Sequence, residues 1–282
     1  YEALSEVALN SNTAIGYQAM KNNTDNYNVA VGTQALMTST TATSNTAIGT
    51  FALYSTTTGD KNTAVGRSAM ESNTTGYDNV AVGRTSLDAN TTGYANVAIG
   101  ESSLTSNTTG YRNTAVGQNT LATCSTGLEN TAVGQNACND VTTGSYNVAV
   151  GQNALATCST GSSNIGVGVN AGDAITTGGS NVCVGISAGS AIDVGSGNTC
   201  VGPDAGKSLS GSNGKWNVAI GFNALENCTA RFQNTAVGQN ALVSNGEHAN
   251  SAFGSNCLAD NLLKQMPIIL VVKVTMDLVI FV

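Results

Sequence analysis

The chain is predicted to be an all-β protein, a β-solenoid of about 15 coils, and three observations carry that prediction. First, an Asn-(Thr/Val)-Ala-(Val/Ile)-Gly pentad begins at Asn12, Asn28, Asn45, Asn62, Asn79, Asn96, Asn113, Asn130 and Asn147, and returns more loosely at Asn164, Asn181, Asn198, Asn217, Asn234 and Asn250. Second, neighbouring starts differ by 17 residues throughout Asn28 to Asn198 (45−28, 62−45 and onward), the exceptions being 16 (28−12), 19 (217−198) and 16 (250−234). Third, aromatics make up 5% of the chain and charged residues 10%, against 33 glycines and two prolines. Such a chain cannot build a conventional core of large side chains. Its apolar residues nonetheless recur at fixed places, which separates it from disordered sequence.

Counting the Asn as position zero, position one is Thr or Val and position three is Val or Ile. Alternate residues of a strand share a face, so positions one and three are expected to form a β-branched core face, with the Asn, Ala and Gly face small and flat. Position eight supplies a second apolar ladder (Met20, Leu36, Leu53, Met70, Leu87, Leu104, Leu121, Leu155, Leu225, Leu242). An Asn-Thr-Thr-Gly segment then turns the chain, its glycine expected to supply positive φ. Stacked coils would superpose like residues about 4.8 Å apart and make a rod on the order of 70 Å long, with asparagine amides paired from coil to coil.

The coils starting at Asn164, Asn181 and Asn198 vary this scheme. Their position eight is glycine (Gly172, Gly189, Gly206) and their position eleven is Ile175, Ile192 and Leu209. The apolar plug is read as moved three residues along the coil, which points Cys124, Val141, Cys158 and Cys228, also at position eleven, inward. The two extra residues between Asn198 and Asn217 should form a surface bulge around Gly211 to Lys215.

A formal charge of −7 without clustered Lys and Arg argues against nucleic-acid binding, and no polybasic patch faces a membrane. The seven cysteines include no Cys-x-x-Cys pair and the chain has one histidine, His248, so no metal site or cofactor is expected. Cys183 and Cys200 would be stacked neighbours within bridging reach, or two small core residues in place of Ala. Gly202-Pro-Asp-Ala-Gly206-Lys207-Ser208 has one residue too few between its glycines for a phosphate loop. One histidine and scattered carboxylates give no catalytic constellation, so the chain is expected not to be an enzyme. Calcium-binding repeats need regularly placed Asp, which is missing.

The repetitive surface of interest is the Thr-Thr ladder: Thr57 and Thr58, Thr74 and Thr75, Thr91 and Thr92, Thr108 and Thr109, Thr142 and Thr143, Thr176 and Thr177. Ordered threonines on a stiff uncharged surface suit an ice-binding face. Consecutive strand residues point to opposite faces, however, and Thr-Thr-Gly is good turn chemistry, which is the preferred reading.

The chain is divided into a repeat domain over 1–261 and an atypical apolar tail over 262–282. Lys264, Lys273 and Asp277 interrupt the tail, which argues against a membrane span. It reads either as a strand capping the rod or as the product of a one-base frame slip, since such a slip turns Val, Ile and Met codons towards the Gly and Asn types that the repeat uses. Tyr1-Glu2-Ala3-Leu4 matches Arg67-Ser68-Ala69-Met70, so the sequence opens inside a repeat and is expected to be a fragment of a longer chain.

The units Asn62-Thr-Ala-Val-Gly66, Ala69-Met70, Asn73-Thr-Thr-Gly76 and Asn113-Thr-Ala-Val-Gly117, Thr120-Leu121 resemble repeats of phage tail-fibre and related surface-fibre proteins. More distantly they are similar to head repeats of trimeric autotransporter adhesins. The resemblance implies a virion or cell-surface location, homotrimers, and a host receptor or glycan as partner. Function is therefore expected to be a non-enzymatic structural or adhesive rod of an extracellular or virion fibre. The alternative is a secreted ice-binding solenoid using a Thr-rich face.

Overall fold

The computed structural model describes residues 11–244, 246 and 248–259. The tail over 262–282 and the opening residues, with the expectations placed on them, lie outside the described residues. Among the described residues fifteen strands, from β1 (Thr13–Ile15) to β15 (Ser251–Phe253), form one parallel sheet in strict sequence order. Each strand covers positions one to three of its coil, and like positions pair: Thr63 with Val80, Ala64 with Ala81, Val65 with Val82. The chain is thus a β-solenoid of stacked 17-residue coils, as its period predicts.

The coil is closed by backbone hydrogen bonds to both neighbours. In the coil of Asn79, Val80 N–H donates to Asn96 O at 2.8 Å and Leu87 N–H to Ser103 O at 2.9 Å, reaching forward. Gly83 N–H donates back to Val65 O at 2.8 Å, and Thr85 N–H to Arg67 O at 3.0 Å. The corners turn through left-handed residues: Asp78, Thr85 and Leu87 have φ of 56°, 53° and 53°. Non-glycine residues hold that conformation at a cost of about 1–2 kcal/mol each, which the ladder on either side offsets. Gly117 has φ 135°, and a Cβ there would stand 2.7 Å from Gly134 O, so position four admits no side chain.

The sheet faces the opposite way from the sequence expectation. Position two is the inward face, with Ala64, Ala81, Ala98 and Ala115 fully buried, and the β-branched residues of positions one and three look outward. Ile15 is 60% exposed and Ile99 40%. A 17-residue coil is thin. Its lumen is already filled by position eight, where Met20, Leu36, Leu53, Met70, Leu87, Leu104 and Leu121 are fully buried, leaving room across from them for a methyl only. Where Gly166 takes position two, a Cβ would lie 2.8 Å from Leu155 Cγ.

Asn at position zero shares the inward parity and forms a buried amide ladder. Asn96 Oδ1 accepts the backbone N–H of Asn113 at 3.0 Å and its Nδ2 at 3.3 Å, while Asn113 Nδ2 also donates to Gly127 O at 2.8 Å. The same pattern repeats along the rod, so each coil's register is fixed by its neighbour's side chain.

The shifted plug is present. Ile175, Ile192 and Leu209 are buried, and so are Cys124, Val141, Cys158 and Cys228. A Cβ on Gly206 would come 2.5 Å from Cys200 Sγ and 2.8 Å from Leu209 Cδ1; on Gly189, 2.6 Å from Cys183 Sγ and 2.8 Å from Ile192 Cδ1. The larger residues at positions two and eleven thus occupy the space that Leu fills elsewhere. A second correction concerns the turn glycine. Gly93 has ordinary φ, and it is required because a Cβ would strike Gly110 O of the next coil.

Candidate functional site

Two surfaces repeat along the rod. The first is the turn carrying the predicted threonines. Thr57, Thr74, Thr91, Thr108, Thr142 and Thr176 are half-buried, and each hydroxyl donates to the carbonyl of the equivalent residue in the next coil, as in Thr74 Oγ1 to Thr91 O at 2.9 Å. These hydroxyls brace the turn. The second residues, Thr58, Thr75, Thr92, Thr109, Thr143 and Thr177, are exposed, and Thr41, Thr126 and Thr160 complete their column. Steps of 17 from Thr41 to Thr177 (177−41 = 136, eight steps) give nine consecutive rungs. The Thr-Thr pairs therefore divide into a bonded inner column and an exposed outer one. Sequence reasoning missed Thr126 and Thr160 because Ser precedes them, although the 17-residue step marks their place.

The second surface is the outward stripe of the sheet. Position three presents Ile or Val on every rung from Ile15 to Val237 and ends in Phe253; position one alternates Thr and Val, with Ile165 and Ser251 as variants. Every described rung contributes, so the stripe is continuous from β1 to β15. Beside it, position five is polar in the middle of the rod (Arg84, Glu101, Gln118, Gln135, Gln152) and apolar at Val169, Ile186 and Phe222. Arg84 pairs with Glu101 and Arg112 with Glu129 across adjacent coils, all four side chains substantially exposed. Such pairs add little stability.

All seven cysteines are buried, and they are thiols rather than disulfides. Cys183 and Cys200 stack on adjacent rungs without a bridge. A hydrogen bond from Cys183, then burial, holds the Cys200 thiol well above its ordinary range. Burial pushes Cys124 up to about 12 and Cys158 to about 11. Neutral, enclosed thiols are poor nucleophiles and poor metal ligands. Among the described residues no three His, Cys, Asp or Glu side chains gather to hold a metal, and no helix is long and apolar enough to cross a membrane.

One aperiodic feature was not legible as a site. Ser212, Asn213, Lys215, Trp216 and Phe232 line an open cleft of about 240 Å³ at the 19-residue coil. The sequence signal for it was there: the only tryptophan falls at the longest spacing in the chain.

Comparison of the chain with protein-family models, with curated proteins and with solved structures finds no match. The fold and its surfaces carry the functional argument alone.

Proposed function

We propose that the chain is a non-enzymatic shaft of an extracellular or virion-surface fibre, assembled as a parallel homotrimer through the outward sheet stripe. The observation that carries this reading is the outward stripe, whose position-three column is apolar on every rung from Ile15 to Phe253. Its length of about 70 Å and width of about 10 Å give roughly 700 Å² per chain, which the two neighbours of a trimer would share. Exposed contiguous apolar area of this size marks an interaction surface. Like rungs of a second and third copy meet it in register, because the stripe has one periodicity from end to end.

Light scattering on the whole chain tests the assembly. Three chain masses are expected, falling to one in a Val82→Glu, Val116→Glu, Val150→Glu variant whose circular dichroism is unchanged. A single-chain mass for the parent overturns the trimer.

A second reading, ice binding by a monomer, draws on the nine-rung exposed threonine column. Its rungs stand about 4.8 Å apart, one hydroxyl and one methyl per rung. Against it, the column is a single file, with glycine beside it at position fourteen on every rung but the first, where Ala42 stands. Thermal hysteresis that disappears in Thr92→Tyr and Thr109→Tyr would favour ice; an unmodified crystal habit at millimolar protein removes this reading.

A further inference from the structure

We propose that the cleft at the 19-residue coil binds the terminal acidic sugar of a glycan, with Trp216 and Phe232 as its apolar walls and Lys215 as its anion contact. This deepens the reading of the chain as an adhesive fibre by naming a ligand class and a place on the rod.

The cleft exists because the repeat is broken there. In the preceding coil Asn181 Nδ2 donates to Gly195 O, a span of 14 residues, but Asn198 Nδ2 donates to Gly214 O, a span of 16. The two extra residues therefore stand out before Gly214. They are not slack: Gly211, with φ 75°, donates its N–H to Asp193 Oδ1 at 2.6 Å, Gly214 N–H donates to Gly211 O at 3.0 Å, and Lys215 N–H to Asn213 O at 2.8 Å.

Both aromatic walls lie against neighbouring residues before any ligand arrives. Trp216 is 61% exposed, and its backbone N–H donates to Ser196 O at 3.1 Å. The residue under its indole is Gly197, where a Cβ would come 2.7 Å from Trp216 Cδ1. Phe232 stacks on His248 at 4.0 Å between centroids with the planes 21° apart, and its N–H donates to His248 Nδ1 at 3.2 Å. Pre-set walls spare the ordering cost of binding.

The charge around the cleft is out of character with the chain. The protein is at −7 with ten Lys and Arg in all, yet Lys215 has no ion-pair partner among the described residues, and the adjacent Arg231 has a buried Nε with no hydrogen-bond partner. An ammonium with no ion-pair partner among the described residues, beside two rings, two amide or hydroxyl side chains (Asn213 and Ser212) and space for one ring, selects for a particular shape. A pyranose offers polarised C–H bonds to the negative face of an aromatic ring and hydroxyls at its rim. A carboxylate on that sugar would take the Lys215 charge. A peptide strand lacks an edge to join here, because the flanking strands are paired on both sides.

The chain's single tryptophan makes the test direct. Fluorescence of Trp216 would be titrated with 3′-sialyllactose, lactose and adenosine monophosphate on the intact chain. A saturable change is expected with sialyllactose, at least about tenfold tighter than with lactose, weakening by at least about tenfold in Lys215→Gln and weakening with salt. Lys215 is only half-buried, so the variant should keep the parent's circular dichroism. Equal response to lactose and sialyllactose overturns the acidic specificity. A tighter response to the nucleotide overturns the sugar assignment, and no saturable response to any probe overturns the site. Light scattering on the same samples separates this from the fibre reading: a trimer with a silent Trp216 loses the site alone, whereas a monomer that binds sialyllactose loses the trimer alone.

Discussion

At the scale of single residues, the fold rests on amides that repeat and on the places where the repeat ends. Asn73, Asn90 and Asn107 form a second buried ladder at position eleven, with Asn90 Nδ2 donating to Asn73 Oδ1 at 2.7 Å and Asn107 Nδ2 to Asn90 Oδ1 at 2.8 Å. The next rung is Cys124, and Asn107 Oδ1 is left buried without a partner. The chain shows the remedy elsewhere, where Ser39 Oγ caps Asn23 Oδ1 at 3.1 Å in the same column. Cys124→Ser should therefore gain about 1 kcal/mol, read as a raised urea midpoint; an unchanged or lower midpoint would show that the orphan costs nothing. The buried thiols predict a pH effect of defined sign. Cys124 and Cys158 ionise at about 12 and about 11 in the fold against an ordinary 9.0, so the fold favours their neutral forms. Their contribution is whole below pH 9 and is lost as pH climbs towards 11 for Cys158 and 12 for Cys124. A Cys124→Ala, Cys158→Ala variant should lose less stability than the parent between neutral pH and the thiol range. Equal losses would refute the linkage.

At the scale of the element, the sequence told where each strand lies but pointed its faces the wrong way. A periodicity of two assigns Val80 and Ala81 to opposite faces without saying which is inside, and hydrophobicity alone favours Val80. The deciding facts were also in the sequence: Ala81, Cys183, Cys200 and Gly166 at position two are all small, and the Asn at position zero shares their parity. A narrow lumen needs small residues and can satisfy an inward amide only if the neighbouring coil supplies its partner. The plug shift was legible because it is a correlated change, Gly gained at position eight as an apolar side chain is gained at position eleven. The cleft was legible only as a bulge: the 19-residue step placed the extra residues around Gly211 to Lys215, but an aperiodic feature has no matching rung to mark it as a site. The plug yields a coupling prediction. Gly206→Leu alone forces a side chain onto Cys200 and Leu209 and should cost at least about 1–3 kcal/mol. Adding Cys200→Ala and Leu209→Cys restores the arrangement of the Asn147 and Asn217 coils (Ala, Leu and Cys at positions two, eight and eleven), so the triple variant should recover most of that loss. Simple additivity, measured by denaturation of all combinations, would mean that the three positions do not share one space.

At the scale of the whole molecule, the rod is nearly one-dimensional: among the described residues each strand bonds to the strand before and the strand after, and to none further away. Stability is then a sum of coil and interface contributions, and what matters to the chain is phase rather than length. Removing Asn79 to Ala95, one full period, joins Asp78 to Asn96 and leaves every column matched: Met70 beside Leu104, Asn73 beside Asn107, Tyr77 beside Tyr111. The Tyr77, Tyr94 and Tyr111 rings, now stacked at 5.0 and 4.8 Å, would close up into one pair. Removing only Asn79 to Ser86 deletes about half a period and sets Asn against apolar positions along the junction, burying unpaired amides at about 1–3 kcal/mol each. The full-period deletion should therefore keep the far-ultraviolet spectrum and shorten the rod by about 4.8 Å in small-angle scattering, while the half-period deletion should split unfolding into two transitions or abolish the fold. If both deletions were tolerated alike, the amide and Leu columns would not be what fixes the register of one coil on the next.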